Sequence, residues 1–136
     1  MTAGLDEVLE QATDRLKRGD TRGMRKLLDR YDQTVERNGL SKDPLAGASW
    51  GLRLIADRME GRPEDAIAAG SRLIRVARGH DWHTHLAELL RIMANSAMDL
   101  SDLDRARVWF EESLNHAQRA GLDAKAAGAL RGLALV

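Results

Sequence analysis

The chain of 136 residues contains no cysteine. That absence excludes disulfides, thiolate metal sites and a cysteine nucleophile, and nothing else in the composition argues for secretion. Proline occurs twice, and phenylalanine and tyrosine once each. With proline scarce and Ala, Leu and Arg abundant, the composition favours helix almost everywhere. No stretch alternates apolar and polar residues long enough to suggest a strand. Neither sign of charge is in excess, since Lys+Arg and Asp+Glu both number 21. A nucleic-acid binder would show a basic surplus or stripe, so neither nucleic acid nor a membrane is expected as a partner. Long apolar runs are missing as well. The opening "MTAGLDEVLEQATDRLKRGD" lacks the apolar core of a signal peptide, and no segment approaches membrane-spanning length. The expectation is a soluble, cytoplasmic, single domain, long enough to bury a core.

What is present is amphipathic helix. Apolar residues at i, i+3, i+4, i+7 spacing mark six segments and a shorter seventh. Leu5, Val8, Leu9, Ala12 and Leu16 form the first stripe, and Met24, Leu27, Leu28, Tyr31 and Val35 the second. Asp43-Pro44 predicts a third helix, Asp as its cap and Pro in its first turn, with Leu45, Ala48, Leu52, Ile55 and Met59. Pro63 opens the fourth, whose stripe is Ala66, Ile67, Gly70, Leu73, Ile74 and Ala77. Asp81 is the expected cap of the fifth, with Leu86, Leu89, Leu90, Met93, Ala94 and Ala97. Ser101 or Asp102 caps the sixth, with Ala106, Phe110, Leu114 and Ala117. A seventh starts near Asp123 and is still apolar at its end. Links of two to five residues force antiparallel neighbours, giving hairpins over residues 3–39, 43–79 and 82–121 and a final helix over 123–136.

The segments repeat. Moved by forty residues, Ala66 falls on Ala106, Ile74 on Leu114, Ala77 on Ala117, and Trp50 on Leu90 and then Leu130. A fixed period in this range indicates stacked helical hairpins. Within them, Leu90, Ala94 and Ala97 place a large residue before small ones on one helix. Ala106, Phe110 and Ser113 place an aromatic between small residues on the next. This pattern resembles the tetratricopeptide repeat family, closely over residues 82–121 and more loosely over 45–79 and 5–38. The period of forty to forty-two exceeds the family's standard, and the proline that often closes its unit is missing. Both features look like the longer-helix variants of bacterial transcription regulators and signalling ATPases. The resemblance implies an all-α, right-handed solenoid of about three hairpins plus a terminal helix, acting as a protein- or peptide-binding scaffold. It also leaves open a regulatory or sensor segment that oligomerises.

In that family the first helices of successive hairpins line a concave groove. Carried over, the groove positions are Ala48, Gly51, Ile55 and Arg58, then Glu88, Arg91, Asn95 and Met98, then Gly128, Arg131 and Leu135. Arg91 and Asn95 resemble half of the basic-plus-asparagine clamp with which some members hold a peptide carboxylate. Guanidinium suits this because its planar fork pairs with carboxylate bidentately. Gly51 and Ile55 stand at the equivalent places one hairpin earlier, so a full clamp is absent. Ile55, Arg58, Arg91, Asn95, Met98 and Arg131 are therefore the candidate groove residues.

No residue set names a reaction. "GHDWHTH" holds His80, His83 and His85, but His83 and His85 lie about 200° apart on a helix and cannot converge on one ion. They read as loop and first-turn polar residues, with a pH-sensitive interface as the other possibility. Asp102, Asp104, Glu111 and Glu112 suit a solvated face, and Ser49, Ser71, Ser96 and Ser113 lack a nucleophile-elbow context. No catalytic residue, metal or cofactor is expected. The last helix has no following helix to cover it. Leu130, Leu133, Leu135 and Val136 would each forgo roughly 1.5–3 kcal/mol of burial if exposed. With Trp109, which leans out of its stripe, Leu130, Leu133 and Val136 are the candidate interface, either for a continuation of the array or for a homodimer.

Overall fold

The computed structural model describes residues 3–136. Among them are seven α-helices and no strand: α1 (Ala3–Lys17), α2 (Thr21–Arg37), α3 (Trp50–Met59), α4 (Pro63–Gly79), α5 (His83–Asp99), α6 (Leu103–Arg119) and α7 (Asp123–Leu135). A 3-10 turn, Pro44–Gly47, precedes α3. None of these helices is long and apolar enough to cross a membrane.

The repeat has a local cause in how the helices stop. After α6, the Leu122 N–H donates to the Ala117 carbonyl and the Gly121 N–H to that of Gln118, which satisfies the orphan carbonyls of the last turn. This closure needs a left-handed residue, and Gly121 supplies it at φ 68°. The same 6→1 bond closes α4, from Trp82 to Ala77, and α5, from Asp102 to Ala97. There the left-handed position is filled by Asp81 (φ 55°) and Ser101 (φ 60°). Helices of 17 residues joined by three-residue links make α4, α5, α6 and α7 begin at 63, 83, 103 and 123. Two links thus reproduce the forty-residue period.

One expected cap is corrected and another is narrowed to a single residue. Asp81 does not cap α5. It occupies the left-handed position closing α4, and Trp82 stands at the cap without a side-chain bond. Of Ser101 and Asp102, it is Asp102 that caps α6, through the Arg105 N–H at 3.2 Å. The third helix also differs from its expected start. Asp43 does cap Leu45 N–H at 2.9 Å, yet the chain makes only a 3-10 turn and enters α-helix at Trp50. Two side chains take the carbonyls of that turn: the Tyr31 hydroxyl donates to Leu45 O at 2.6 Å, and His85 Nε2 donates to Pro44 O at 2.6 Å. Burial pushes the Tyr31 phenol up to about 12, so the hydroxyl stays a donor at any ordinary pH.

Packing runs continuously from end to end. One cluster joins Leu5, Tyr31 and Val35, and the next joins Ala12, Leu16, Met24 and Leu28 to Ala56 of α3. The largest joins α3, α4 and α5 through Leu54, Ala66, Ile74, Leu86, Leu90 and Met93, with Trp50, Trp82 and Trp109 against it. A fourth joins Ile67, Ala94, Ala97, Ala106 and Phe110. Each of α3 to α7 packs on its sequence neighbour, and α1 touches α3, α3 touches α5, and α5 touches α7. Charged belts cross the same seams. Arg25 reaches Asp57 and Glu60 at 2.8 and 2.6 Å, and Arg53 reaches Asp32 at 2.8 Å. Hydrogen bonds from Arg25 and Arg62 hold the Glu60 carboxyl down at about 2.

The left-handed serine is a local cost. A Cβ there is disfavoured by about 1–2 kcal/mol, partly offset by the larger chain entropy glycine loses on folding. Ser101→Gly is expected to raise the thermal midpoint by about 2–4 °C in a calorimetric scan, and an unchanged or lower midpoint would refute this account of the link.

Candidate functional site

Helix α5 offers a half-buried strip at i, i+3, i+7 spacing, which aligns Glu88, Arg91 and Asn95. Helix α7 runs beside it and presents Lys125, Gly128, Arg131 and Leu135. Between the two lies a cleft of about 400 Å³ lined by Arg91, Asn95, Lys125, Gly128, Arg131 and Leu135. Gly128 forms its floor. A Cβ there would stand 3.3 Å from Arg91 Cδ and 3.7 Å from an Arg131 Nη, so the missing side chain leaves room for both arginines.

The charges in the cleft divide into paired and unpaired. Lys125 Nζ bonds Glu88 Oε2 at 3.2 Å. Glu88 also lies over Gly51 of α3, where any Cβ would collide with its carboxylate. Glu88 thus bonds to α7 and lies against the backbone of α3. Arg91 and Arg131 have no carboxylate partner among the described residues, a state they share with Arg22, Arg30, Arg37, Arg72, Arg75, Arg107 and Arg119, but only these two line this cleft. Two guanidiniums and one amide within a concavity form a donor-rich arrangement that suits an anion.

The other groove candidates do not join this cleft. Arg58 is engaged with Asp99 of α5, Nε at 2.8 Å and Nη2 at 3.1 Å. Ile55 is half-buried between two core clusters, and Met98 packs against the Phe110 cluster. Among the interface candidates, Leu133 and Val136 pack inward on that same cluster, and Trp109 is half-buried with the Arg105 guanidinium 5.2 Å above its ring. Leu130 is 53% exposed and Leu135 73% exposed.

The histidines go separate ways. His80 stacks on Trp82 with centroids 4.4 Å apart, and His85 holds the 3-10 turn. His83 pairs with His116, Nδ1 to Nδ1 at 2.9 Å, joining the start of α5 to the last turn of α6. Among the described residues no three His, Asp or Glu side chains converge on a metal position. Sequence reading missed this pair because 33 residues separate its members, and missed Lys125 because its counterpart forty residues earlier, His85, has different chemistry.

In the His83–His116 bond one ring nitrogen donates and the other accepts, which requires at least one neutral ring. Burial lowers the His116 pKa, and His83, Arg119 and Arg78 push it the same way against Glu112. A histidine held below its unfolded value contributes stability that is fully present above about pH 6.5 and lost as pH falls through the folded value. The thermal midpoint is therefore expected to drop between pH 7.5 and 5, and His116→Gln to flatten that slope. Equal slopes in the two proteins would show that the pair is not the titrating element. No family model, curated protein or solved structure matches this chain.

Proposed function

We propose that the chain is a non-catalytic scaffold of tetratricopeptide-like construction that holds a protein or peptide along its odd-numbered helices. An acidic group of that partner sits between α5 and α7. Supporting the architecture, α1, α3, α5 and α7 touch in succession while α4 to α7 begin at equal intervals, as a right-handed solenoid of hairpins requires. The observation that carries the function is the convergence of Arg91, Arg131 and Asn95 on one cleft with neither guanidinium neutralised. The cleft's free polar groups are donors of positive or neutral charge, which suits holding an anion. Its ends are bounded by the Lys125–Glu88 pair and the apolar Leu135.

The test is a fluorescently labelled short peptide ending in two aspartates, titrated by anisotropy. Charge-assisted hydrogen bonds are worth about 1.5–3 kcal/mol, so Arg91→Ala and Arg131→Ala should each weaken binding about ten- to a hundredfold. Added salt should weaken it too, and a peptide ending in two lysines should not bind. Indifference of the acidic peptide to both substitutions would overturn the proposal.

A further inference from the structure

The cleft between α5 and α7 carries more positive charge than one carboxylate neutralises. Arg91, Lys125 and Arg131 line it, and Lys125 Nζ is bonded to Glu88 Oε2 at 3.2 Å. That pair cancels, which leaves two positive charges, one on each helix. No carboxylate is among the lining residues. Arg91 is half-buried, and an ionised group drawn out of water without a partner is unfavourable until a counter-charge arrives. Glu88 also sets a direction. It repels an anion placed at the Lys125 edge, so the favoured position lies toward Arg91 and Arg131.

The shape of the anion follows from how the two guanidiniums are placed. A carboxylate presents two oxygens in one plane, and a single planar fork satisfies both. Here the forks come from different helices and approach one point. The place of the side chain missing at Gly128 lies 3.3 Å from Arg91 Cδ and 3.7 Å from an Arg131 Nη. A carboxylate held by one fork leaves the other without a partner. A phosphate monoester carries a charge of about −1.5 to −2 near neutrality and three free acceptor oxygens on a tetrahedron. Each fork can then take its own edge of the group. Asn95, one turn from Arg91, keeps an amide for a neighbouring peptide carbonyl. The volume of about 400 Å³ admits the ester and the atoms that carry it.

We propose that the anion held between α5 and α7 is a phosphorylated serine or threonine side chain of the partner, its double charge shared by Arg91 and Arg131. This rests on the proposed function, which asks only for an acidic group, and adds what that group is.

Three labelled Gly/Ala-rich peptides, identical except for phosphoserine, glutamate or serine at one central position, are titrated with the full chain by anisotropy. The phosphoserine peptide should bind about tenfold or more tighter than the glutamate peptide, with the serine peptide weakest. Arg91→Lys and Arg131→Lys keep the charge but lose the fork, and each should weaken phosphopeptide binding about tenfold. Arg131 is exposed, so the thermal midpoint of its variant should match the parent and exclude misfolding. Equal binding of the phosphoserine and glutamate peptides, both lost in Arg91→Ala, would overturn this inference and leave the proposed function standing. Failure of every acidic peptide to bind would overturn both. Phosphopeptide binding untouched by either lysine substitution would place the phosphate elsewhere and overturn it too. Inorganic phosphate or free phosphoserine binding as tightly as the peptide would assign the cleft to a small phosphorylated molecule, and likewise overturn it.

Discussion

The burial of α5 on all sides but one strip constrains the rest of the molecule. Leu86, Leu89, Leu90, Ile92, Met93, Ala94 and Ala97 are each at most 1% exposed, because α3, α4, α6 and α7 all pack on this one helix. At roughly 1.5–3 kcal/mol for each large side chain removed from water, no other element contributes comparably to the core. The cost is geometric. The charged and amide side chains Glu88, Arg91 and Asn95 fall on the half-buried strip, while the buried Ser96 turns its hydroxyl to the Ile92 carbonyl. The candidate site is what complete burial elsewhere leaves open.

Electrostatics sharpen the distinction between the strip and the remaining surface. The chain has as many acids as bases, 21 of each, and most interhelical arginines are neutralised across a seam. Exposed pairs of this kind are worth little individually, about 0–1 kcal/mol, but they consume the carboxylates within reach. Arg58 shows the effect, because it lies on the groove side of α3 and is committed to Asp99. Arg91 and Arg131 are left facing each other across Gly128 with donors to spare.

How much of this was legible in the sequence depends on the range of the interaction. Helices α4 to α7 were readable because caps, links and stripes are local and recur at one interval. Arg91, Asn95 and Arg131 came instead from the groove positions that the repeat resemblance implies, and the structure places all three on one cleft. What failed was long-range. The 3-10 turn at Pro44–Gly47 carries a sound local start signal in Asp43-Pro44, and it is diverted by Tyr31 and His85, 14 and 41 residues distant from the carbonyls they bond. The His83–His116 pair and the Glu88–Lys125 bond are equally invisible to spacing. The inward turn of Leu133 and Val136 required knowing that α7 leans on Phe110.

That lean bears on how α7 works. Gly128 and Gly132 weaken it as an isolated helix, each by about 1 kcal/mol relative to alanine, and each is used by a neighbour: Gly128 by the arginines, Gly132 by the Phe110 ring. Only Ala129 and Gly132 of this helix are buried, so its alanines and leucines, which favour helix, offset what the two glycines cost.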